Sequence, residues 1–284
     1  MGSNRRSAIP LLHWPRAPCL DSTREPIRLK KTLPLFAAIA ATFLISYCII
    51  AITDDGASFR GFSSHFGEDS AKRGSGVVGE DARELGAFTS ISLSGSLYVE
   101  ATAGADQRVT VRGDDNLLED VITEVRNGVL CVELQSGSYN FKKPMVVRVQ
   151  VPELTGVQLQ GSGDFAVQGI AQDQFNVTLR GSGDIVVKGL ETKDLRVNLE
   201  GSGDIEVTGK TDKLTATLRG SGDMNLAGLV AAHASTTLAG SGDIRVHASE
   251  ALNVTLAGSG EVGYTGEPMV KKTTAGSGEV YKFH

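Results

Sequence analysis

Cysteine is scarce, three in 284 residues, so no disulfide framework staples this chain. Proline numbers only 8, and the 34 glycines follow no three-residue period, which removes a collagen-like fibre. Aromatic residues make up 6%. A basic excess is also missing: the formal net charge of −5 gives no footing for nucleic-acid binding. The histidines (His13, His65, His233, His247, His284) include no pair at zinc-ligand spacing, and no G-x-S-x-G nucleophile elbow occurs. What remains is 40% apolar and 21% charged, a composition that folds. The length allows one large domain with appendages, or two modest ones.

Charge and hydropathy divide the chain. Residues 1–32 hold seven basic and two acidic side chains. Residues 33–53, LPLFAAIAATFLISYCIIAIT, carry no charge. At about 1.5 Å per residue this run reaches roughly 31 Å, the depth of a bilayer core. Pro34 stands where a helix start tolerates it. Basic residues before the span and Asp54 and Asp55 after it place the N-terminus in the cytoplasm, and the C-terminal part on the periplasmic or extracellular side. A cleaved signal is the alternative. No A-x-A site closes the run, Tyr47 spoils a lipoprotein box at Cys48, and Arg6 occupies the Ser/Thr slot of a myristoylation signal. The expectation is a retained single-span anchor.

Residues 54–85 are Gly- and Ser-rich, charged and aperiodic, and read as a flexible tether. Its Phe59, Phe62 and Phe66 could dip into the membrane surface. From residue 86 to 284 the pattern changes to period two, as in FTSISLSGSLYVEA, QRVTVRG, VLCVELQ and MVVRVQVP. The intervening NLLEDVITEVRNG fits a helical turn or a strand. Cys131, beyond the span, has no second cysteine in its own segment and is expected as core or surface filler.

The dominant signal starts at Gly161. GSGD begins at residues 161, 181, 201, 220 and 240, and GSGE at 258 and 276. Such near-constant spacing of 18–20 residues is a solenoid signature. An apolar-x-apolar-x-apolar run precedes each tetrapeptide (Leu195, Val197, Leu199) and an apolar-x-apolar run follows it (Ile205, Val207). One coil cannot bury its own apolar face, so coils must stack. The expected fold is all-β: a parallel β-helix of 18–20-residue coils, preceded by one transmembrane helix. An antiparallel meander is the rival.

The glycine pairs are expected to make the corners: Gly161 and Gly163, Gly181 and Gly183, Gly201 and Gly203, Gly220 and Gly222, Gly240 and Gly242, Gly258 and Gly260, Gly276 and Gly278. Their serines would stack as a hydroxyl ladder. The acids Asp164, Asp184, Asp204, Asp223, Asp243, Glu261 and Glu279 would form a row. At about 4.8 Å each neighbouring repulsion costs only about 1 kcal/mol in water, so a solvated ladder stands. Their oxygens can also take backbone N–H groups at the turn. A divalent cation bridging adjacent coils is the sharper alternative, with these seven acids as its ligands. The longer period argues against the nine-residue calcium roll. The sequons at Asn176 and Asn253 fall inside repeat strands and read as pattern filling.

Residues 86–282, through GDDNLL, VRNGVL and the repeated GSGD, resemble the head GIN domain family, which is labelled an auto-transporter adhesin. The resemblance implies an exported parallel β-helix behind a signal or anchor, and it carries no catalytic residues. No barrel translocator follows in this sequence, so self-secretion through one is not expected. The expected function is a non-catalytic, adhesin-like binding module of the cell envelope. It is held to the membrane by residues 33–53 and contacts an envelope polysaccharide or protein. Alternatives are a structural role through end-to-end homo-oligomers, envelope-stress sensing, and a polysaccharide-active enzyme.

Overall fold

The computed structural model describes residues 71–284. The expected span lies outside them, and among the described residues no helix is long and apolar enough to cross a membrane. The N-terminal part comprises β1 (Lys72–Arg73), β2 (Val78–Arg83), β3 (Ser90–Gly95), β4 (Tyr98–Ala103), β5 (Arg108–Asp114), a 3-10 helix (Asp115–Asp120), β6 (Val121–Arg126), β7 (Val129–Leu134), β8 (Tyr139–Asn140) and β9 (Val146–Val151). The repeat region follows with β10 (Gly156–Gly161), β11 (Asp164–Gln168), β12 (Ala171–Gly181), β13 (Asp184–Gly201), β14 (Asp204–Gly220), β15 (Met224–Gly240), β16 (Ile244–Gly258), β17 (Glu261–Thr265), β18 (Met269–Gly276) and β19 (Glu279–Lys282).

From β10 onward successive coils pair in parallel and in register, as a β-helix requires. Gly161 pairs with Gly181, Gly181 with Gly201, Gly201 with Gly220, Gly220 with Gly240 and Gly240 with Gly258. Register holds because alternate side chains merge into interior columns. Leu159, Leu179, Leu199, Leu218, Leu238 and Leu256 form one such column, and all are buried. Slipping by one residue would turn each column outward. The unequal coil lengths are absorbed on the return side. Register shifts occur between Val187 and Leu190, and between Leu226 and Val230, never at the corner.

The antiparallel rival is present too, confined to the N-terminal end. β2 pairs antiparallel with β5, β5 with β9, and β6 with β7. Asn127 and Gly128 at the β6–β7 turn both have positive φ, 52° and 75°, which suits a two-residue hairpin. NLLEDVITEVRNG therefore divides into a 3-10 turn and a strand. Space departs from chain order here. β3 lies between β7 and β10, and β4 between β9 and β11.

Three expectations are corrected. The tether does not reach residue 85, because β1 pairs with β8 and β2 with β5 inside that range. FTSISLSGSLYVEA is two strands broken by a corner at Ser96 and Leu97. Cys131 is buried, as core filler would be, and it also carries a disulfide bond that the scarcity of cysteine did not lead one to expect. Lys272 and Thr274 stand in register with buried Val254 and Leu256, so polar residues occupy those columns in β18.

Candidate functional site: a furrow along the corner

The two glycines of each corner do different work. At Gly181 φ is +135°, a conformation that side chains resist. Gly183 needs room instead: a Cβ there would overlap the carbonyl oxygen of Gly163 one coil below. The first glycine's carbonyl then accepts from the next coil. Ser202 N donates to Gly181 O at 2.9 Å, and Gly203 N to the same oxygen at 3.3 Å.

The acids that follow form a column tied by hydrogen bonds. Asp184 N donates to Asp164 Oδ1 at 3.2 Å, and Asp204 N to Asp184 Oδ1 at 3.2 Å. Asp223 N donates to Asp204 Oδ1 at 3.1 Å, and Asp243 N to Asp223 Oδ1 at 2.9 Å. Glu261 N donates to Asp243 Oδ1 at 2.9 Å, and Glu279 pairs with Glu261 by register. Each aspartate from Asp164 to Asp243 thus spends one oxygen on the next coil. The carboxylates line up without converging: among the described residues no group of three His, Cys, Asp or Glu side chains could hold a metal ion. The expected cation ladder gains no geometry from the fold. Of the expected serine ladder, the bond formed is Ser277 Oγ to Ser259 Oγ at 3.1 Å.

Beside the acid column runs a furrow of three joined hollows. One, of about 390 Å³, lies between Asp184 and Arg245. The next, of about 340 Å³, shares Asp184 and Val186 with it and extends past Asp164 to Tyr98. The third, of about 430 Å³, shares Asp164 and Tyr98 and ends among Phe141, Lys142 and Lys143. Five coil steps separate Tyr98 from Asp243, about 24 Å at the β spacing. The furrow is therefore long, straight and ribbed at the coil repeat.

Tyr98 stands in the register position of Asp164, at the head of the acid column. Burial, then the Glu100 and Asp164 carboxylates, pushes its phenol above the ordinary value of 10.0, so the hydroxyl stays a donor at neutral pH. Sequence reasoning missed it, although Gly95-Ser96-Leu97-Tyr98 is a degenerate copy of the corner, with Gly95 in register with Gly161.

The GDDN segment builds the furrow's head. Asp114, fully buried, accepts from Gly76 N at 2.8 Å, Lys142 N at 2.8 Å and Lys143 N at 3.0 Å. Burial pushes its carboxyl up, but these three donors and the nearby Lys142 charge outweigh burial and hold it below its ordinary value. Asp115 takes the Ser75 hydroxyl at 2.5 Å, while Asn116 accepts from Ser75 N and donates to Arg73 O. A Cβ on Gly113 would strike the Met145 sulfur. The motif that looked most like a signature is thus a clamp. It fixes the Lys142–Lys143 backbone beside Tyr98.

These features coincide with a known family. Residues 87–268 match the family described as "putative auto-transporter adhesin, head GIN domain", and the chain belongs to it. Its fold is shared with a structure from Bacteroides fragilis NCTC 9343 named "a putative adhesin": TM-score 0.71 and 22% identity over 74% of this chain and 99% of that one. A structure from Parabacteroides distasonis ATCC 8503, named as a lipid-binding protein, aligns at TM-score 0.61 and 26% identity over 75% and 99%. A structure from Parabacteroides merdae ATCC 43184, also named "a putative adhesin", gives TM-score 0.61 and 20% identity over 75% and 98%. No curated protein matches the chain.

Proposed function

We propose that this chain is a non-catalytic, adhesin-like module that holds a linear envelope polysaccharide in the corner furrow. The observation that carries this reading is the merging of three hollows through Tyr98, Asp164, Asp184 and Val186. A linear polymer can lie along such a track and repeat its contacts from coil to coil. The free oxygen of each aspartate accepts from sugar hydroxyls, and the Tyr98 and Phe141 rings offer apolar faces at one end. Acids outnumber bases along the lining, with Lys142 and Lys143 at the head and Lys188 and Arg245 further along, which suits a neutral chain better than a polyanion.

Export and anchoring complete the proposal, with residues 33–53 as the membrane tether. The family membership and the adhesin names of relatives support a binding role. A lipid, which the name of the Parabacteroides distasonis relative suggests for that protein, finds its way barred from the interior, because buried Leu, Val, Ile and Phe columns occupy it. The test is binding of the full chain to neutral and acidic linear polysaccharides, with reducing-sugar release followed in parallel. Saturable binding without release is expected. Tyr98→Ala should weaken it about tenfold, some 1.4 kcal/mol. Binding unchanged by Tyr98→Ala, or sugar release, overturns the reading.

A further inference from the structure

A second hollow, on a different side of the coil, has a chemistry of its own. It measures about 320 Å³ and lies on the outer face of β3, β10, β12 and β13. Its floor is a gap in the sheet surface. Gly156 stands in register between Ser90 and Asn176, both of which carry side chains. A Cβ on Gly156 would press on the Asn176 carbonyl oxygen at 2.9 Å, so the floor stays bare.

The walls hold polar groups that the protein itself leaves unused. Ser92 is 2% exposed and Gln158 7%, yet Ser92 Oγ and Gln158 Nε2 have no hydrogen-bond partner. They are neighbours across the sheet, paired in register, and both line the hollow. An unpaired buried polar atom is costly, so two on one wall call for an explanation outside the packing. A ligand that accepts from both supplies it.

The lining also names the ligand's class. Asn176, Thr178 and Asn198 add amide and hydroxyl groups, Arg196 contributes a guanidinium at the rim, and no Asp or Glu takes part. Arg196 is only loosely engaged, 3.6 Å from Asp194. A hollow rich in neutral donors, with one planar cation and no anion, complements a small polyhydroxylated ligand carrying one carboxylate. We propose that this hollow binds a single acidic sugar unit of the uronic-acid type. The carboxylate sits on Arg196, and the hydroxyl and ring oxygens accept from Gln158 Nε2 and Ser92 Oγ. This site is separate from the furrow and stands whether or not the furrow holds a polymer.

The test is calorimetric titration of the full chain with glucuronate, with glucose, and with a short glucuronate oligomer. Glucuronate should bind and glucose should bind at least tenfold more weakly. The oligomer should gain little over the monomer. Arg196→Gln, a rim change that leaves the fold alone, should reduce glucuronate affinity about tenfold and erase the preference over glucose. Gln158→Leu should lower affinity while raising the melting temperature of the free protein, because an unpaired amide leaves the wall. Tyr98→Ala should leave glucuronate binding untouched, which separates this site from the furrow. No glucuronate binding, equal binding of glucose, or full affinity in Arg196→Gln overturns the proposal.

Discussion

Replacing Gly203 by alanine isolates the steric half of the corner from the conformational half. Gly203 does not share the positive φ of the first corner glycines, so alanine brings no backbone strain there. The added Cβ overlaps the Gly183 carbonyl oxygen and comes within 3.0 Å of Leu179 Cδ2. Neither the oxygen nor the coil carrying it can rotate away. The coils must part, and the hydrogen bonds across that gap include Ser202 N to Gly181 O at 2.9 Å and Asp204 N to Asp184 Oδ1 at 3.2 Å. Overpacking at about 1–3 kcal/mol and two lost bonds at about 1 kcal/mol each give a destabilisation of about 3–5 kcal/mol. Gly169→Ala is the control. Its φ is +70° and nothing lies within 4 Å of the new Cβ, so only backbone strain acts, about 1–2 kcal/mol. At about 2–4 °C per kcal/mol, Gly203→Ala should melt roughly 10 °C lower and Gly169→Ala roughly 4 °C lower. Urea titration should show the same order. Equal losses in the two variants would refute the claim that close approach of coils, rather than turn conformation, dictates the second glycine.

Thr236 points into the core at 1% exposure, in register with Ala216 and Val254, and its hydroxyl has no partner. Thr236→Val should raise stability by about 1–2 kcal/mol, read by thermal melting, and a loss would show that the hydroxyl is satisfied. Asp114 has a carboxyl held below its ordinary value of 3.8, so its contribution is fully present above that pH and fades as pH falls through the lower folded value. The stability gap between wild type and Asp114→Asn should therefore narrow on acidification below about pH 4, and a gap that does not narrow with acid contradicts the clamp.

Much of the solenoid is legible because its grammar is local. The recurrence of GSGD at 18–20 residues fixes the corner, and the period-two runs on either side fix which residues turn inward, as the Leu179, Leu199 and Leu218 column shows. The N-terminal end was hidden because its pairings are long-range: β5 finds β9, and β2 finds β5, through contacts no periodicity announces. Tyr98 was missed for a similar reason. Only the register with Asp164 shows that GSLY is a corner. The acidic row was visible in sequence. Its use of one carboxylate oxygen per coil as a backbone acceptor depends on coil spacing, which sequence does not display.

The out-of-order placement of β3 sets how this chain must be wound. Ser90 waits for Val129 on one side and Gly156 on the other, while later coils join neighbours about twenty residues away. Closing the longer loop costs about 1 kcal/mol more than closing a single coil. A chain emerging from the ribosome therefore cannot spool up from its first strand. One side of β3 and of β4 stays open until residue 168 is out, and the regular turns can then be laid down one at a time on a finished starter.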